Sequence, residues 1–320
     1  MSATETPPTL FLGIATGLAA AAASAVSYLV ARHHGARTGG AGLRLLVPAH
    51  ALMGAVCLPV AWLLWPAALP PAANWLPPLL QSTICYLVGQ ACVYAALRRM
   101  PASRLAPLLG LKIVMLAAIV SCLPGDRLDV RQWAAVALAV FAAWLMRREP
   151  ANAAAGSAPA PRGLAIVLVG CLFFALSDLG IVALIEALHA PCAACCPPIG
   201  RLHAGALAMA VTYVLCGAGA LPFVPRLGLR GGDWVAPAQY AAAWLGSMVA
   251  LYACFGTVGV VFGNILQSTR GIMAVLAGVA LAHAGWHDLE ERVDRVTLAR
   301  RFGAAALMTA AIALSALDAT

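Results

Sequence analysis

The chain has 320 residues, of which 62% are hydrophobic and 10% are charged, and its formal net charge is +8. A soluble domain has about a quarter of its residues charged, so this composition excludes an ordinary soluble protein. The cations lie mostly in short segments between apolar stretches, where they set membrane topology. Nucleic acid is therefore not an expected partner.

Apolar stretches long enough to cross a hydrocarbon core of about 30 Å recur along the whole chain. The first has no basic segment before it and exceeds the apolar part of a signal peptide, so it is interpreted as a retained span. The predicted fold class is a polytopic all-α membrane protein with ten transmembrane helices. Hydropathy places the ten spans at residues 9–31, 45–65, 77–97, 102–123, 131–147, 163–188, 203–224, 237–256, 258–283 and 302–317.

The segment between the fifth and sixth spans is RREPANAAAGSAPAPR, residues 147–162. It is rich in Ala, Pro, Gly and Ser and has no helical periodicity, which is typical of a flexible linker. The predicted domains are therefore a first five-helix repeat at 1–147, a linker at 148–162 and a second five-helix repeat at 163–320.

Two matches between the halves indicate an internal repeat. Ser24 follows a glycine by seven residues in span one, and Ser177 does the same in span six. Sliding span four onto span nine aligns Lys112 with Arg270. Because each half has an odd number of spans, the second repeat is inverted in the membrane, an arrangement common among transporters.

The chain resembles the EamA-like branch of the drug/metabolite transporter superfamily in two stretches, MPASRLAPLLGLKIVMLAAIVSCLPGDRLDVRQWAAVALAVFAAWLM and GNILQSTRGIMAVLAGVALAHAGWHDLEERVDRVTLARRFGAAALMTAAIALSAL. The opening of span six, GLAIVLVGCLFFALSDLGIVAL, is similar to that family as well. The resemblance implies a ten-helix permease that exports or imports small metabolites, and it leaves the substrate open.

The distribution of arginines predicts the orientation in the membrane. Fifteen arginines lie in the odd-numbered loops and three in the even-numbered loops. The positive-inside rule therefore places the odd loops in the cytoplasm and both termini outside, whereas relatives usually keep both termini inside. Nearly all cations are arginines and alanine is abundant, as in proteins of GC-rich bacteria, so the expected location is the bacterial inner membrane.

Two cations lie at the centres of predicted spans, Lys112 in span four and Arg270 in span nine. A cation at a helix centre costs roughly 2.5–3.5 kcal/mol, so it needs a partner or a wet cavity. The functional interpretation is a site that binds an anionic substrate group, and the structural alternative is pairing with a buried acid. Asp178, in the middle of span six, is assigned to charge balance or to carrying a proton. One acid against two cations favours a substrate that bears a carboxylate or phosphate.

Further polar side chains could line the same site. Asn264 and Gln267 recur at intervals of three with Arg270, so they share one helix face, and Gln90 lies in span three. We predict that these three bind the substrate, although interhelical hydrogen bonding is the commoner role of such residues. His50 in span two is a candidate for proton coupling, and a position at the headgroup level is its alternative.

The segment HAPCAACCPPIGRLH, residues 189–203, brings together Cys192, Cys195 and Cys196. A Cys-x2-Cys spacing beside histidines fits a metal site, but a second such pair is absent. Loop cysteines or a disulfide are therefore the preferred interpretation, and no metal is assigned. The sequence has no phosphate-binding glycine loop and no nucleophile–base set, so we predict neither an enzyme nor a cofactor.

These observations predict a secondary transporter that moves a small anionic or carboxylate-bearing metabolite by alternating access. One alternative is a flippase or carrier for a lipid-linked anion, and another is a membrane scaffold that transports nothing. The expected partners are the small-molecule substrate and the lipid bilayer. A homodimer is one state that such a protein could adopt.

Overall fold

A computed structural model describes residues 7–38, 42–67, 69–97, 109, 111–122, 129–147, 161–190 and 199–270, and isolated residues from 273 to 314. Within hydrocarbon no water is present to bond backbone groups, so each segment must satisfy its N–H and C=O groups internally. The Ala- and Leu-rich stretches accordingly form helices, and the described residues contain no strand.

Nine α-helices lie in the described part of the chain. In chain order they are α1 Pro7–Thr38, α2 Gly42–Leu64, α3 Ala72–Leu97, α4 Leu111–Cys122, α5 Val130–Arg147, α6 Pro161–His189, α7 Arg201–Ala220, α8 Val235–Val258 and α9 Val260–Ser268.

Five of these helical regions are long and apolar enough to cross a membrane: Thr9–Gly35, Gly42–Leu64, Arg162–His189, Arg201–Phe223 and Gly231–Val258. The all-helical prediction is confirmed, since each of the first nine predicted spans overlaps a helix. The tenth lies almost entirely outside the described residues, as does the linker. The count of ten helices, the inverted repeats and the domain boundaries therefore stay predictions.

Helices α8 and α9 are separated by a single residue, Gly259, whose φ is +77°. Side chains with a Cβ rarely adopt this backbone conformation, and glycine adopts it without steric cost. The Gly259 N–H donates to the Phe255 carbonyl oxygen at 3.2 Å, which closes the end of α8. The predicted gap between spans eight and nine, at residue 257, was placed two residues too early.

The helices form two compact units. The Lys112 unit consists of Met1–Phe11, Cys85–Leu176 and Val261–Thr320, and the Asp178 unit of Leu12–Ile84 and Ser177–Val260. Each unit thus combines segments from both predicted halves of the sequence. Helices α1, α3, α6 and α9 contribute residues to both units.

The core of the Asp178 unit contains a very close approach of α2 and α7. A Cβ atom on Gly54 would lie 2.7 Å from the Gly217 Cα atom, and one on Gly217 would lie 2.6 Å from the Gly54 Cα atom. Only glycine at both positions lets the two backbones touch, as at small-residue crossings in other membrane proteins. Large side chains such as Tyr213, Phe255 and Met53 are fully or almost fully buried in the same unit.

The core of the Lys112 unit includes a cluster of three buried side chains, Ala96 of α3 with Val167 and Cys171 of α6. Leu111 and Met115 of α4 pack against this cluster. The cluster therefore joins α3, α4 and α6 next to the residue that follows Leu111, which is Lys112.

Candidate functional site

Lys112 lies in the first turn of α4, immediately after Leu111. Its backbone N–H donates to the Leu109 carbonyl oxygen at 3.2 Å, so the chain turns into the helix at this point. The side chain is half-buried. The predicted central position in a span at 102–123 depends on residues 102–108, which lie outside the described part of the chain.

Arg270 follows the end of α9 by two residues and is also half-buried. The backbone just before Arg270 forms a 3₁₀-type turn, because the Thr269 N–H donates to the carbonyl oxygen of Leu266, three residues earlier, at 3.1 Å. The hydroxyl of Thr269 donates to the same carbonyl at 2.7 Å, and that of Ser268 donates to the Ile265 carbonyl. Such back-bonding often bends a helix.

Both cations interact electrostatically with one side chain, the Cys171 thiol of α6. Cys171 is fully buried. The Lys112 unit therefore brings together two basic residues that are far apart in the sequence, near a residue that sequence reasoning treated only as a small apolar one.

The other three predicted substrate residues also belong to the Lys112 unit. Asn264 and Gln267 are buried on α9, with 2% and 4% of their surface exposed, and Gln90 is half-buried on α3. Just before Arg270, the hydroxyl groups of Ser268 and Thr269 donate hydrogen bonds to backbone carbonyls of their own helix. The amide side chains of Asn264 and Gln267 carry both donors and an acceptor, which suit contact with a ligand.

The two residues predicted for coupling or charge balance belong to the Asp178 unit. Asp178 on α6 is buried, with 6% of its surface exposed. His50 on α2 is buried as well, and its Nδ1–H donates to the Leu46 carbonyl oxygen of its own helix at 2.8 Å. His50 therefore lies within the helix packing.

Sequence reasoning missed the neighbours of Asp178. Tyr252 of α8 is fully enclosed, interacts electrostatically with Asp178, and forms a side-chain hydrogen bond with Thr212 of α7. The Thr212 hydroxyl donates to the Ala208 carbonyl oxygen at 2.8 Å. A tyrosine inside a predicted span was a signal that could have marked this cluster.

Among the residues that the structure describes, no three His, Cys, Asp or Glu side chains lie close enough together to hold a metal ion. Cys192, Cys195 and Cys196 lie outside those residues. The histidines on either side of them bond to backbone: His189 Nδ1 donates to the Ile199 carbonyl at 2.7 Å, and His203 Nε2 to the Leu64 carbonyl at 2.7 Å.

Long apolar helices with charged and amide side chains buried among them define a polytopic helical membrane protein. Residues 11–148 match the model of the EamA-like transporter family. The match covers less than half of the chain and makes this stretch similar to that family, which agrees with the predicted resemblance. No curated protein matches the chain in sequence.

Solved structures share the fold. One, titled only "Crystal structure of protein", superposes with a TM-score of 0.65 and 16% sequence identity, over 97% of this chain and 98% of that chain. At this identity the likeness establishes the fold alone.

Proposed function

We propose that the protein is a secondary transporter in which Lys112 and Arg270 bind the anionic group of a small metabolite. The observation that carries this proposal is that Lys112 and Arg270 both interact electrostatically with the buried Cys171 thiol within the Lys112 unit. A negatively charged group that lies near either cation is stabilised by Coulomb attraction, more so where solvent is partly excluded. A carboxylate or phosphate suits this role better than an organic cation.

The amide groups of Asn264, Gln267 and Gln90 orient the substrate in this proposal. Asn264 and Gln267 offer both N–H donors and a carbonyl acceptor, and their burial excludes competing water. Asp178 balances the charge or carries the coupling proton, with Tyr252 as its neighbour. His50 is the second candidate for coupling.

Alternating access through two inverted repeats is supported by the crossing of α2 and α7, which are the second helices of the two predicted repeats. Around Gly54 the nearest atoms are the Gly217 Cα and the Tyr213 carbonyl oxygen, at 2.7 and 3.1 Å. Around Gly217 they are the Gly54 Cα and the His50 carbonyl oxygen, at 2.6 and 3.0 Å. His50 and Tyr213 each precede their glycine by four residues, as a two-fold axis at the crossing requires.

Two serine contacts support the same repeat. Ser24 of α1 donates to the Ser247 hydroxyl of α8 at 2.6 Å, since the Ser247 proton is used on the Ala20 carbonyl. Ser177 of α6 donates to the Ser82 carbonyl of α3 at 2.9 Å. The first and sixth spans are repeat partners, as are the third and eighth, so these are equivalent contacts. The family match also ends at residue 148, next to the proposed linker.

The location proposed for the protein is the bacterial inner membrane, with both termini outside. It rests on the excess of arginine in the odd-numbered loops. The expected partners are a water-soluble anionic metabolite and the lipid bilayer. The oligomeric state is open to either a monomer or a homodimer.

The test is thermal unfolding of the purified protein in detergent against amino acids, organic acids, sugar phosphates and cationic drugs. A ligand at about 100 times its Kd stabilises the protein by about 2.7 kcal/mol. We expect an anionic compound to stabilise the wild type, and to lose this effect in Lys112→Gln and Arg270→Gln. The matched control is Arg162→Gln, which removes an exposed cation at the start of α6 in the same unit.

The alternatives predict other results. A flippase or carrier for a lipid-linked anion responds to lipid extract and to none of the soluble compounds. A scaffold responds to no compound, and both cation variants lower its stability. Stabilisation by cationic drugs that survives in both variants would reject the anionic substrate.

A further inference from the structure

Three exposed arginines lie at one end of the Asp178 unit: Arg44, Arg226 and Arg230, called here the arginine patch. Arg44 belongs to the first turn of α2, and the other two lie between α7 and α8. The Arg44 guanidinium donates to the Leu227 carbonyl oxygen at 3.0 Å, which ties the start of α2 to this connection.

The connection between α7 and α8 has a defined backbone. It consists of three short 3₁₀ turns, Leu221–Phe223, Pro225–Leu227 and Gly231–Trp234. The Arg226 guanidinium lies 5.4 Å from the centre of the Phe223 ring, within the range of a cation–π contact. Both Arg44 and Arg226 are thus held in place by contacts that leave their charge uncompensated.

The acidic residue of this connection, Asp233, bonds to the backbone. The Asp233 carboxylate accepts a hydrogen bond from the Arg230 backbone N–H at 2.9 Å. Within the described residues, no carboxylate lies in salt-bridge distance of the three guanidinium groups of the patch. Arg201, which begins α7 about 30 Å away along that helix, instead pairs with Glu186 at 3.0 Å.

Exposed apolar side chains surround the patch. Leu43 is 63% exposed, Leu221 62%, Phe223 50% and Val235 58%. They occupy the ends of three segments apolar enough to cross the membrane, Gly42–Leu64, Arg201–Phe223 and Gly231–Val258. Cations beside exposed apolar groups at such an end lie where phosphate headgroups meet acyl chains.

We infer that the arginine patch binds the phosphate headgroup of an anionic phospholipid, while the adjacent leucine, valine and phenylalanine side chains contact its acyl chains. Free phosphate would use the cations and leave these apolar side chains in water, so the lipid is the occupant that accounts for both features. Near a charged membrane surface each arginine contributes about 1 kcal/mol, which corresponds to about a fivefold change in affinity.

The experiment titrates the detergent-purified full-length protein with short-chain phosphatidylglycerol and phosphatidylcholine, with binding followed by native mass spectrometry and thermal unfolding. Phosphatidylglycerol is expected to bind more tightly, and Arg226→Gln and Arg230→Gln are each expected to weaken it about fivefold. Neither change removes a hydrogen bond that holds the fold. Arg201→Gln is the matched control and is expected to leave phosphatidylglycerol binding unchanged.

A second arm separates the lipid from free phosphate. Phe223→Ser is expected to weaken phosphatidylglycerol binding while keeping the three cations. Inorganic phosphate is expected neither to stabilise the protein nor to compete with the lipid. Equal binding of the two lipids, equal losses in Arg201→Gln and the patch variants, or stabilisation by inorganic phosphate alone would each overturn the inference.

Discussion

The two units of the molecule bury polar groups of different kinds. In the Asp178 unit, hydroxyl groups join helices: Ser24 bonds to Ser247, and Ser177 bonds to the Ser82 carbonyl. In the Lys112 unit, two basic side chains act on one buried thiol. Hydroxyl pairs of this kind hold helices together, whereas cations in an apolar environment are costly and mark a function. Under the proposed function, the Lys112 unit binds the substrate, whereas the Asp178 unit contributes these helix contacts and the coupling candidates Asp178 and His50.

The largest effect on stability is expected at the crossing of α2 and α7. Gly54→Ala places a Cβ atom 2.7 Å from the Gly217 Cα, so the backbones must separate. Overpacking of this kind costs about 1–3 kcal/mol in the free energy of unfolding. Thermal unfolding measures the change, and Gly246→Ala in α8, where nothing lies within 4 Å, is the control expected to show no loss. Equal behaviour of the two variants would contradict the close approach.

The cation variants are expected to change ligand binding more than stability. A hydrogen bond to a charged group contributes about 1.5–3 kcal/mol, so Lys112→Gln or Arg270→Gln should weaken an anionic ligand roughly 10- to 100-fold. Isothermal titration measures the Kd, with Arg162→Gln as the reference. If the variants lose stability while their Kd stays unchanged, these cations stabilise the fold and do not bind the ligand. The proposed functional difference between the two units would then be wrong.

A smaller loss of stability is expected at the junction of α8 and α9. Gly259 has a φ of +77°, and a side chain with a Cβ in the left-handed region costs about 1–2 kcal/mol. Gly259→Ala should lower the unfolding temperature, and the Gly246→Ala variant again provides the unstrained helical comparison. An unchanged unfolding temperature would argue against the one-residue turn.

The smallest effect is expected from the serine pairs. Interhelical hydrogen bonds in membranes average about 0.6 kcal/mol in double-mutant cycles. A cycle of Ser24→Ala and Ser247→Ala should give a coupling energy of that size, and Ser177→Ala alone a similar loss of stability. Transport should remain close to wild type. A large loss of transport at unchanged stability would show that the Asp178 unit also takes part in binding.

The sequence was sufficient to predict the helices, because apolar stretches of membrane length have few alternatives to helix. It was also sufficient to single out Lys112 and Arg270, since a charge inside an apolar stretch is conspicuous. The interaction of both cations with Cys171 was not predictable, because a cysteine in a predicted span is normally interpreted as a small apolar residue. The Tyr252 contact with Asp178 and the Arg44 bond to the Leu227 carbonyl depend on tertiary packing, which periodicity does not encode.

The grouping of the helices into two compact units could not be predicted from the sequence either. The predicted division follows chain order and separates the halves at a linker, whereas the compact units each take segments from both halves. Gly54 and Gly217 meet in one unit through packing between helices that are distant in sequence. Such pairing is fixed by side-chain volume at the crossing, and a single sequence does not reveal which glycines face each other.

The most direct test of the central claim is uptake of the stabilising anion into proteoliposomes that contain the purified protein. Binding by Lys112 and Arg270 predicts saturable uptake by the wild type and by Arg162→Gln, and uptake at the level of empty liposomes for Lys112→Gln and Arg270→Gln. Undiminished uptake by both cation variants, at matched protein content, would contradict the claim that these two residues bind the substrate.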